Sequence, residues 1–238
     1  NLKNSAVAFK HNDLVSFKKL FKENKDIGVV IMEVERFEEV KIDFLRYIRN
    51  YTKKNNITLI FDECTSGFRQ TYGGLHLKYK INPDVCILGK ALGNGYPINA
   101  VIGTKKVMSK AKNSFISSTF WSDRIGPAAA LKTLEIMKEE KSWVKLKNLG
   151  KYFKINFRNI LRKYKITGDV IGNGSLLQFK LKNINDTDLK KYLASEMLKK
   201  KILASNVIYL SIAHNKKLLE KYFHELDKIL FKLSKKNK

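Results

Sequence analysis

The chain has 238 residues, of which 44% are apolar and 11% aromatic, a composition that fits a globular protein and excludes a disordered tail. No apolar run reaches the length of about 18 residues that a membrane-spanning helix needs, so the sequence predicts no membrane partner. The formal net charge of +25 comes mostly from lysines that are spread through every predicted helix. Arginines are not paired with aromatic residues as in a base-reading surface, so the sequence predicts non-specific attraction to polyanions and no specific nucleic-acid site.

The first half of the chain alternates helix and strand patterns. Apolar residues from Leu14 to Phe21 recur at helical spacing, with Asn12 as the candidate cap. The run IGVVIME at 27–33 is continuously apolar, which predicts a strand buried on both faces. A second helix, KIDFLRYIRNYTKKN, precedes three further strands, ITLIFDE, DVCILG and NAVIG. This alternation predicts an α/β domain with a mostly parallel sheet.

The pattern changes after the fourth strand. Residues 125–164 predict an almost continuous helix, followed by two shorter strands, SLLQFKL and VIYLSIA. We therefore predict two domains, residues 1–145 as part of a large α/β domain and residues 146–238 as a small α+β domain. A final amphipathic helix is predicted to bury Leu219, Tyr222, Phe223, Leu226, Ile229, Leu230 and Leu233.

The two cysteines, Cys64 and Cys86, sit at or near the ends of predicted strands. Their spacing does not resemble the C-x-x-C pattern of zinc sites, so the sequence predicts no metal site. Reduced thiols are typical of cytoplasmic proteins, which is the location we predict.

Asp62 and Lys90 are the candidate chemical groups. Asp62 ends the run ITLIFD, and Lys90 comes shortly after DVCILG. Parallel sheets bind ligands beyond the carboxyl ends of their strands, so both side chains are expected at one edge of the sheet. A nucleotide hydrolase is disfavoured because its lysine follows G-x-x-x-x-G and precedes Ser or Thr, whereas Lys90 precedes Ala91 and comes after the aspartate. Pyridoxal phosphate fits better, since it needs a lysine for a Schiff base and an acid beside its pyridine nitrogen.

Four segments resemble the class III aminotransferases, which include the glutamate-1-semialdehyde aminomutases. They are LIFDECTSGFR, GGLHLKYKINPDVCILGKALGNGYPINAVIG, SFISSTFWSDRIGPAAALKTLE and KILASNVIYLSIAHN. The resemblance implies the fold of a type I pyridoxal-phosphate transferase, with a partial large-domain sheet and a small carboxyl-terminal domain. It also implies an aminotransferase or aminomutase that moves an amino group between an amine and a carbonyl of small amino or keto substrates.

The resemblance further implies roles for single residues. Lys90 would form the Schiff base with pyridoxal phosphate, and Asp62 would pair with the pyridine nitrogen. Cys64 would lie against the ring face, where the family usually has valine. Thr119 would reach the cofactor phosphate of a neighbouring subunit, which implies a homodimer. Glu33 receives at most a supporting role.

Arg69 is left open between attracting a substrate carboxylate and forming a structural ion pair. The family's phosphate-binding loop near the amino end has no counterpart in this sequence, which begins at Asn1. We therefore expect the carboxyl-terminal portion of a class III enzyme, with weak cofactor binding and reduced activity on its own. The alternative is a catalytically inactive remnant or an interaction module of the same fold.

Overall fold

The computed structural model describes residues 5–117, 119–120 and 122–236. The chain forms two compact units, one of the residues up to Glu35 together with Glu39–Ile136, the other of Arg36–Glu38 together with the residues from Met137 onward. None of the described helices is both long enough and apolar enough to cross a lipid bilayer. The functional division into residues 1–145 and 146–238 stays a prediction.

A four-stranded sheet organises the first unit. Its strand order is β1-β2-β3-β4, in which β1, β2 and β3 run parallel and β4 is antiparallel to β3. The predicted α/β class with a mostly parallel sheet is confirmed. The elements of this unit are α1 (Leu14–Glu23), β1 (Val29–Met32), α2 (Ile42–Lys54), β2 (Thr58–Asp62), α3 (His76–Tyr79), β3 (Val85–Leu88), β4 (Ala100–Gly103), α4 (Lys105–Met108) and the start of α5 (Ile125–Glu140).

Strand β1 is buried on one face only, so the prediction of burial on both faces is wrong. Val30 and Met32 lie in the apolar core that α1 and α2 also enter. Val29 and Ile31 point the other way and keep 52% and 55% of their surface exposed. Successive strand residues face opposite sides of a sheet, and a continuous apolar run does not reveal which side is covered.

The cap of α1 also differs from the prediction. Asp13, not Asn12, caps the helix, because its Oδ1 accepts hydrogen bonds from the backbone N–H groups of Val15 and Ser16 at 2.9 and 3.0 Å. Asn12 instead links the chain to the segment before α2, and its Oδ1 accepts from the Lys41 N–H at 2.8 Å.

The second unit packs helices on a three-stranded antiparallel sheet with the order β5-β6-β7. The helix predicted over residues 125–164 is interrupted at Lys141, whose left-handed conformation (φ 46°) separates α5 from α6. All seven residues predicted for the inner face of the last helix are buried, which confirms that prediction. The remaining elements are α6 (Ser142–Lys163), β5 (Gly168–Asn173), β6 (Leu176–Leu181), α7 (Asp186–Leu198), β7 (Val207–Tyr209) and α8 (Lys216–Lys236).

Candidate active site

Asp62 and Lys90 leave the sheet at the same edge. Asp62 is the last residue of β2 and pairs with Ile87 of the parallel strand β3. Strand β3 ends at Leu88, and Lys90 follows after a single glycine. The geometric expectation from the sequence is therefore confirmed, since both residues lie at the carboxyl ends of adjacent parallel strands, where open α/β sheets bind ligands.

Lys90 begins a short 3-10 turn, Lys90–Leu92, in a left-handed conformation with φ 46°. For a residue other than glycine this conformation costs on the order of 1–3 kcal/mol and is found mainly where surrounding contacts enforce it. The backbone N–H groups of Gly93 and Asn94 donate to the Lys90 carbonyl oxygen at 3.2 and 3.1 Å and hold this turn. The side chain is held separately, by a hydrogen bond from Lys90 Nζ to Thr65 Oγ1 at 2.7 Å. The backbone and the hydroxyl together fix where the amine lies.

Gly89 lets the chain pass close to the neighbouring side chains. A Cβ atom at this position would lie 2.2 Å from Asn99 Oδ1 and 3.1 Å from Cys64 Sγ. Any larger residue would push both groups away from the start of the Lys90 turn. The absence of a side chain at Gly89 therefore keeps Cys64 and Asn99 close to the backbone that carries Lys90.

Thr65 is a site residue that the sequence interpretation missed. Only 5% of its surface is exposed, and its carbonyl oxygen accepts a hydrogen bond from Arg69 Nε at 2.6 Å. Arg69 is thus engaged with the backbone of the turn that follows Asp62, which favours a structural role for its guanidinium. The sequence signal for Thr65 was its hydroxyl, three positions after Asp62 at the end of β2. The signal was not recognised because the partner of this hydroxyl, Lys90, lies 25 positions further along the chain.

Cys64 interacts with both groups at the sheet edge. Its backbone N–H donates to Asp62 Oδ1 at 3.0 Å. Burial raises the pKa of the Cys64 thiol, the Asp62 carboxylate raises it further, and the Lys90 ammonium opposes both. Glu33, half-buried directly after β1, also raises this pKa, so its carboxylate acts on the same edge. The raised pKa favours the neutral thiol, a small and weakly polar group beside the two charges.

Glu63, directly after Asp62, has no exposed surface. Its carboxylate accepts hydrogen bonds from the backbone N–H groups of Leu75 and His76 at the start of α3. Glu63 Oε1 also lies 2.6 Å from His76 Nδ1. The sequence interpretation gave Glu63 no role, and the structure shows that it connects the end of β2 to α3.

Thr119 is exposed and lies in a turn outside the group around Lys90. The described contacts do not join it to Asp62, Cys64 or Lys90. Its neighbours at positions 118 and 121, which belong to the motif SSTFW, lie outside the described residues. The role of Thr119 toward a neighbouring subunit therefore stays a prediction.

Comparison with known proteins gives one consistent family. The profile described as Aminotransferase class-III matches residues 10–229. The glutamate-1-semialdehyde 2,1-aminomutase of Thermodesulfovibrio yellowstonii is 29% identical over 244 residues, which cover 93% of this chain and 57% of the relative. The chain thus spans little more than half the length of this curated relative.

Solved structures share the fold at lower identity. The FumI protein of Sphingopyxis sp. MTA144, in its PLP internal aldimine form, superimposes with a TM-score of 0.87 and 23% identity, over 94% of this chain and 56% of that one. An omega-transaminase from Sphaerobacter thermophilus gives a TM-score of 0.87 and 21% identity, over 98% and 58%. At these identities the likeness establishes the type I transferase fold.

Proposed function

We propose that this chain, which belongs to the class III aminotransferase family, carries the lysine and the aspartate of a pyridoxal-phosphate site. The reaction is the transfer of an amino group between an amine and a carbonyl carbon of a small amino or keto substrate, either between two molecules or within one. The observation that carries the proposal is the placement of Asp62 and Lys90 at the ends of adjacent parallel strands.

The residues at the sheet edge fit this cofactor. The amine of Lys90 is held 2.7 Å from the Thr65 hydroxyl, and the carboxylate of Asp62 ends the neighbouring strand. Gly89 places no side chain against Cys64 and Asn99, and Cys64 offers a neutral sulfur of the size that suits the face of a flat ring. Pyridoxal phosphate, when bound, supplies an aldehyde and an electron-withdrawing ring.

Each residue then has a definite task. Asp62 would pair with the ring nitrogen and keep a proton there, because a negative charge close by favours the protonated form. Lys90 would hold the aldehyde end through its Nζ atom. The same Nζ atom, when free, would be the group that accepts and returns a proton during the amino transfer. The hydroxyl of Thr65 gives the released amine a defined position.

The proposal includes a homodimer in which the exposed Thr119 reaches the cofactor phosphate bound to the other subunit. It also includes a cytoplasmic location, which the two free cysteines support. The second candidate function is a catalytically inactive remnant or an interaction module. The chain covers 57% of the aminomutase relative, so the activity of the whole enzyme stays part of the proposal.

Covalent trapping separates the two functions. The purified chain is mixed with pyridoxal phosphate, reduced with borohydride and digested, and the labelled peptide is mapped. The proposal expects about one label per chain on Lys90, loss of that label in Lys90→Arg and weaker labelling in Asp62→Asn. Lys80→Arg is the matched control, because Lys80 is an exposed lysine with a similar left-handed backbone, φ 55°. Label scattered over many lysines, unchanged in Lys90→Arg, would favour the inactive remnant.

A further inference from the structure

We propose that Glu63, His76 and Cys86 form a binding site for one divalent cation of the zinc class. Among the described residues, these three bring a carboxylate oxygen, the imidazole Nδ1 and a thiol sulfur within 4.8 Å of one another. They come from three separate parts of the first unit, the end of β2, the start of α3 and the middle of β3. The proposal does not depend on the proposed aminotransferase function.

The separations of the donor atoms lie on either side of those in a tetrahedral zinc site. With bonds of about 2.0–2.3 Å, tetrahedral zinc separates oxygen from nitrogen, and nitrogen from sulfur, by about 3.3–3.6 Å. In this structure Glu63 Oε1 lies 2.6 Å from His76 Nδ1, and Cys86 Sγ lies 4.0 Å from the same nitrogen. Movements of less than about 1 Å would make room for the ion. Three protein ligands leave the fourth position to a water molecule.

The surroundings of the cluster fit a cation. Glu63, His76 and Cys86 expose 0%, 8% and 3% of their surfaces, and a buried carboxylate needs a positive partner or several hydrogen bonds. The backbone N–H groups of Leu75 and His76 already hold the Glu63 carboxylate. Such outer hydrogen bonds fix the orientation of metal-binding carboxylates, and they remain in place when Oε1 turns its other lone pair to a cation.

Protons leave the cluster when the cation binds. Burial, reinforced by the carboxylates of Glu63 and Asp62, raises the pKa of the Cys86 thiol to about 12, so this thiol keeps its proton in the cation-free protein. Binding replaces the S–H bond by a sulfur–metal bond and releases that proton to solvent. The proton that Nδ1 and Glu63 Oε1 share in the cation-free contact moves to Nε2 or leaves to solvent, and His76 then binds through the Nδ1 lone pair. The Nδ1 contact with Glu63 is thereby replaced by two bonds to the same ion.

The spacing of these residues explains why the sequence did not predict the site. Glu63 and His76 are 13 positions apart in the sequence, and His76 and Cys86 are 10 positions apart, which differs from zinc motifs with paired ligands. The cation would lie next to the candidate active site, because Glu63 directly follows Asp62 in the chain. We expect it to hold the turn after β2 against α3 and β3.

Cobalt is the probe, because a thiolate bound to Co²⁺ absorbs in the near ultraviolet and zinc itself is silent. The chelator-treated full chain is titrated with Co²⁺, and bound metal is counted after equilibrium dialysis. We expect one Co²⁺ per chain, a thiolate band and displacement by Zn²⁺. Cys86→Ser should remove the band and weaken binding by more than about tenfold, whereas Cys64→Ser, which changes the other thiol, should leave both unchanged.

A second measurement protects the test against misfolding of the Cys86 variant. In the wild-type chain, the buried Cys86 should react slowly with a chromogenic disulfide reagent and more slowly still when Zn²⁺ is bound, whereas the rate for Cys64 should not change. Absence of stoichiometric Co²⁺ binding by the wild-type chain would overturn the proposal. A thiolate band that persists in Cys86→Ser and disappears in Cys64→Ser would overturn it equally.

Discussion

The ammonium of Lys90 donates a hydrogen bond to the hydroxyl of Thr65, with 2.7 Å between Nζ and Oγ1. The two residues follow the ends of neighbouring parallel strands. Through this contact, the turn after Asp62 positions the lysine that follows β3. The aspartate and the lysine are therefore connected by a short segment of chain, Asp62 to Thr65, as well as by the sheet.

Replacing Thr65 tests this connection. Thr65→Val keeps the shape of the side chain and removes the acceptor, so we expect labelling of Lys90 by pyridoxal phosphate and borohydride to slow about fivefold, the equivalent of roughly 1 kcal/mol for one hydrogen bond. Thr65→Ser keeps the hydroxyl and should label almost as fast as wild type. The rates are read from the Lys90 peptide by mass spectrometry. Equal rates in the valine and serine variants would show that the hydrogen bond does not position the lysine.

Glu63→Gln should destabilise the first unit strongly. The change leaves His76 without its buried carboxylate partner and places an amide N–H₂ group close to backbone donors. Leaving a buried hydrogen-bonding partner unsatisfied costs about 1–3 kcal/mol, which urea unfolding followed by circular dichroism can measure. Glu39→Gln is the control, since Glu39 contacts Lys78 at 3.4 Å on the surface and should change stability by less than about 1 kcal/mol. Similar losses in both variants would contradict the structural role of Glu63.

Gly150→Ala tests packing in the second unit. In most helices this change stabilises by about 0.5–1 kcal/mol, because alanine has the higher helix propensity. Here the new Cβ would lie 2.2 Å from the backbone carbonyl oxygen of Gly174, which cannot rotate away. We expect a loss of about 1–3 kcal/mol in the free energy of unfolding. Gly28→Ala, where the Cβ meets no atom within 4 Å, should have little effect, and a stabilised Gly150 variant would refute the prediction.

We expect the protein to lose a little stability in acid because Asp169 is paired with Arg158. Its hydrogen bonds to the Arg158 guanidinium, at 2.8 and 3.2 Å, lower the pKa of the carboxyl below its usual value. The pKa of Asp169 is lower in the folded than in the unfolded protein. The pair with Arg158 therefore makes its full contribution to the free energy of unfolding above the unfolded pKa of about 3.9, and this contribution is lost as the pH falls through the folded pKa. Each side chain is about half exposed, so the effect is at most about 1 kcal/mol.

The measurement for Asp169 is thermal unfolding between neutral pH and about pH 2. Asp169→Asn should be less stable than wild type near pH 7, and the difference should shrink toward acid. Asp43→Asn is the control, because Asp43 forms a longer and more exposed contact with Arg46, at 3.6 Å. A difference for Asp169→Asn that stays constant over the whole pH range would contradict the assignment.

Much of the fold followed from local pattern. The alternating helices and strands of the first unit and the inner face of α8 were predicted correctly, because apolar spacing reflects which side of an element packs against the core. The errors were also local. The sequence favoured Asn12 as the cap where Asp13 forms the hydrogen bonds, and it did not reveal the break at Lys141. Two adjacent polar residues compete for one cap, and only the backbone geometry selects between them.

The sequence by itself determined the family and brought Asp62 and Lys90 to one edge of the sheet, because parallel strands place their carboxyl ends together whatever lies between them. Only the tertiary structure decided which side of β1 is covered, that Thr65 receives the amine of Lys90, and that Glu63 meets His76 and Cys86. These contacts join residues 10 to 25 positions apart through side chains directed by packing. Periodicity describes neighbours along one element, and it carries no information about where side chains of different elements meet.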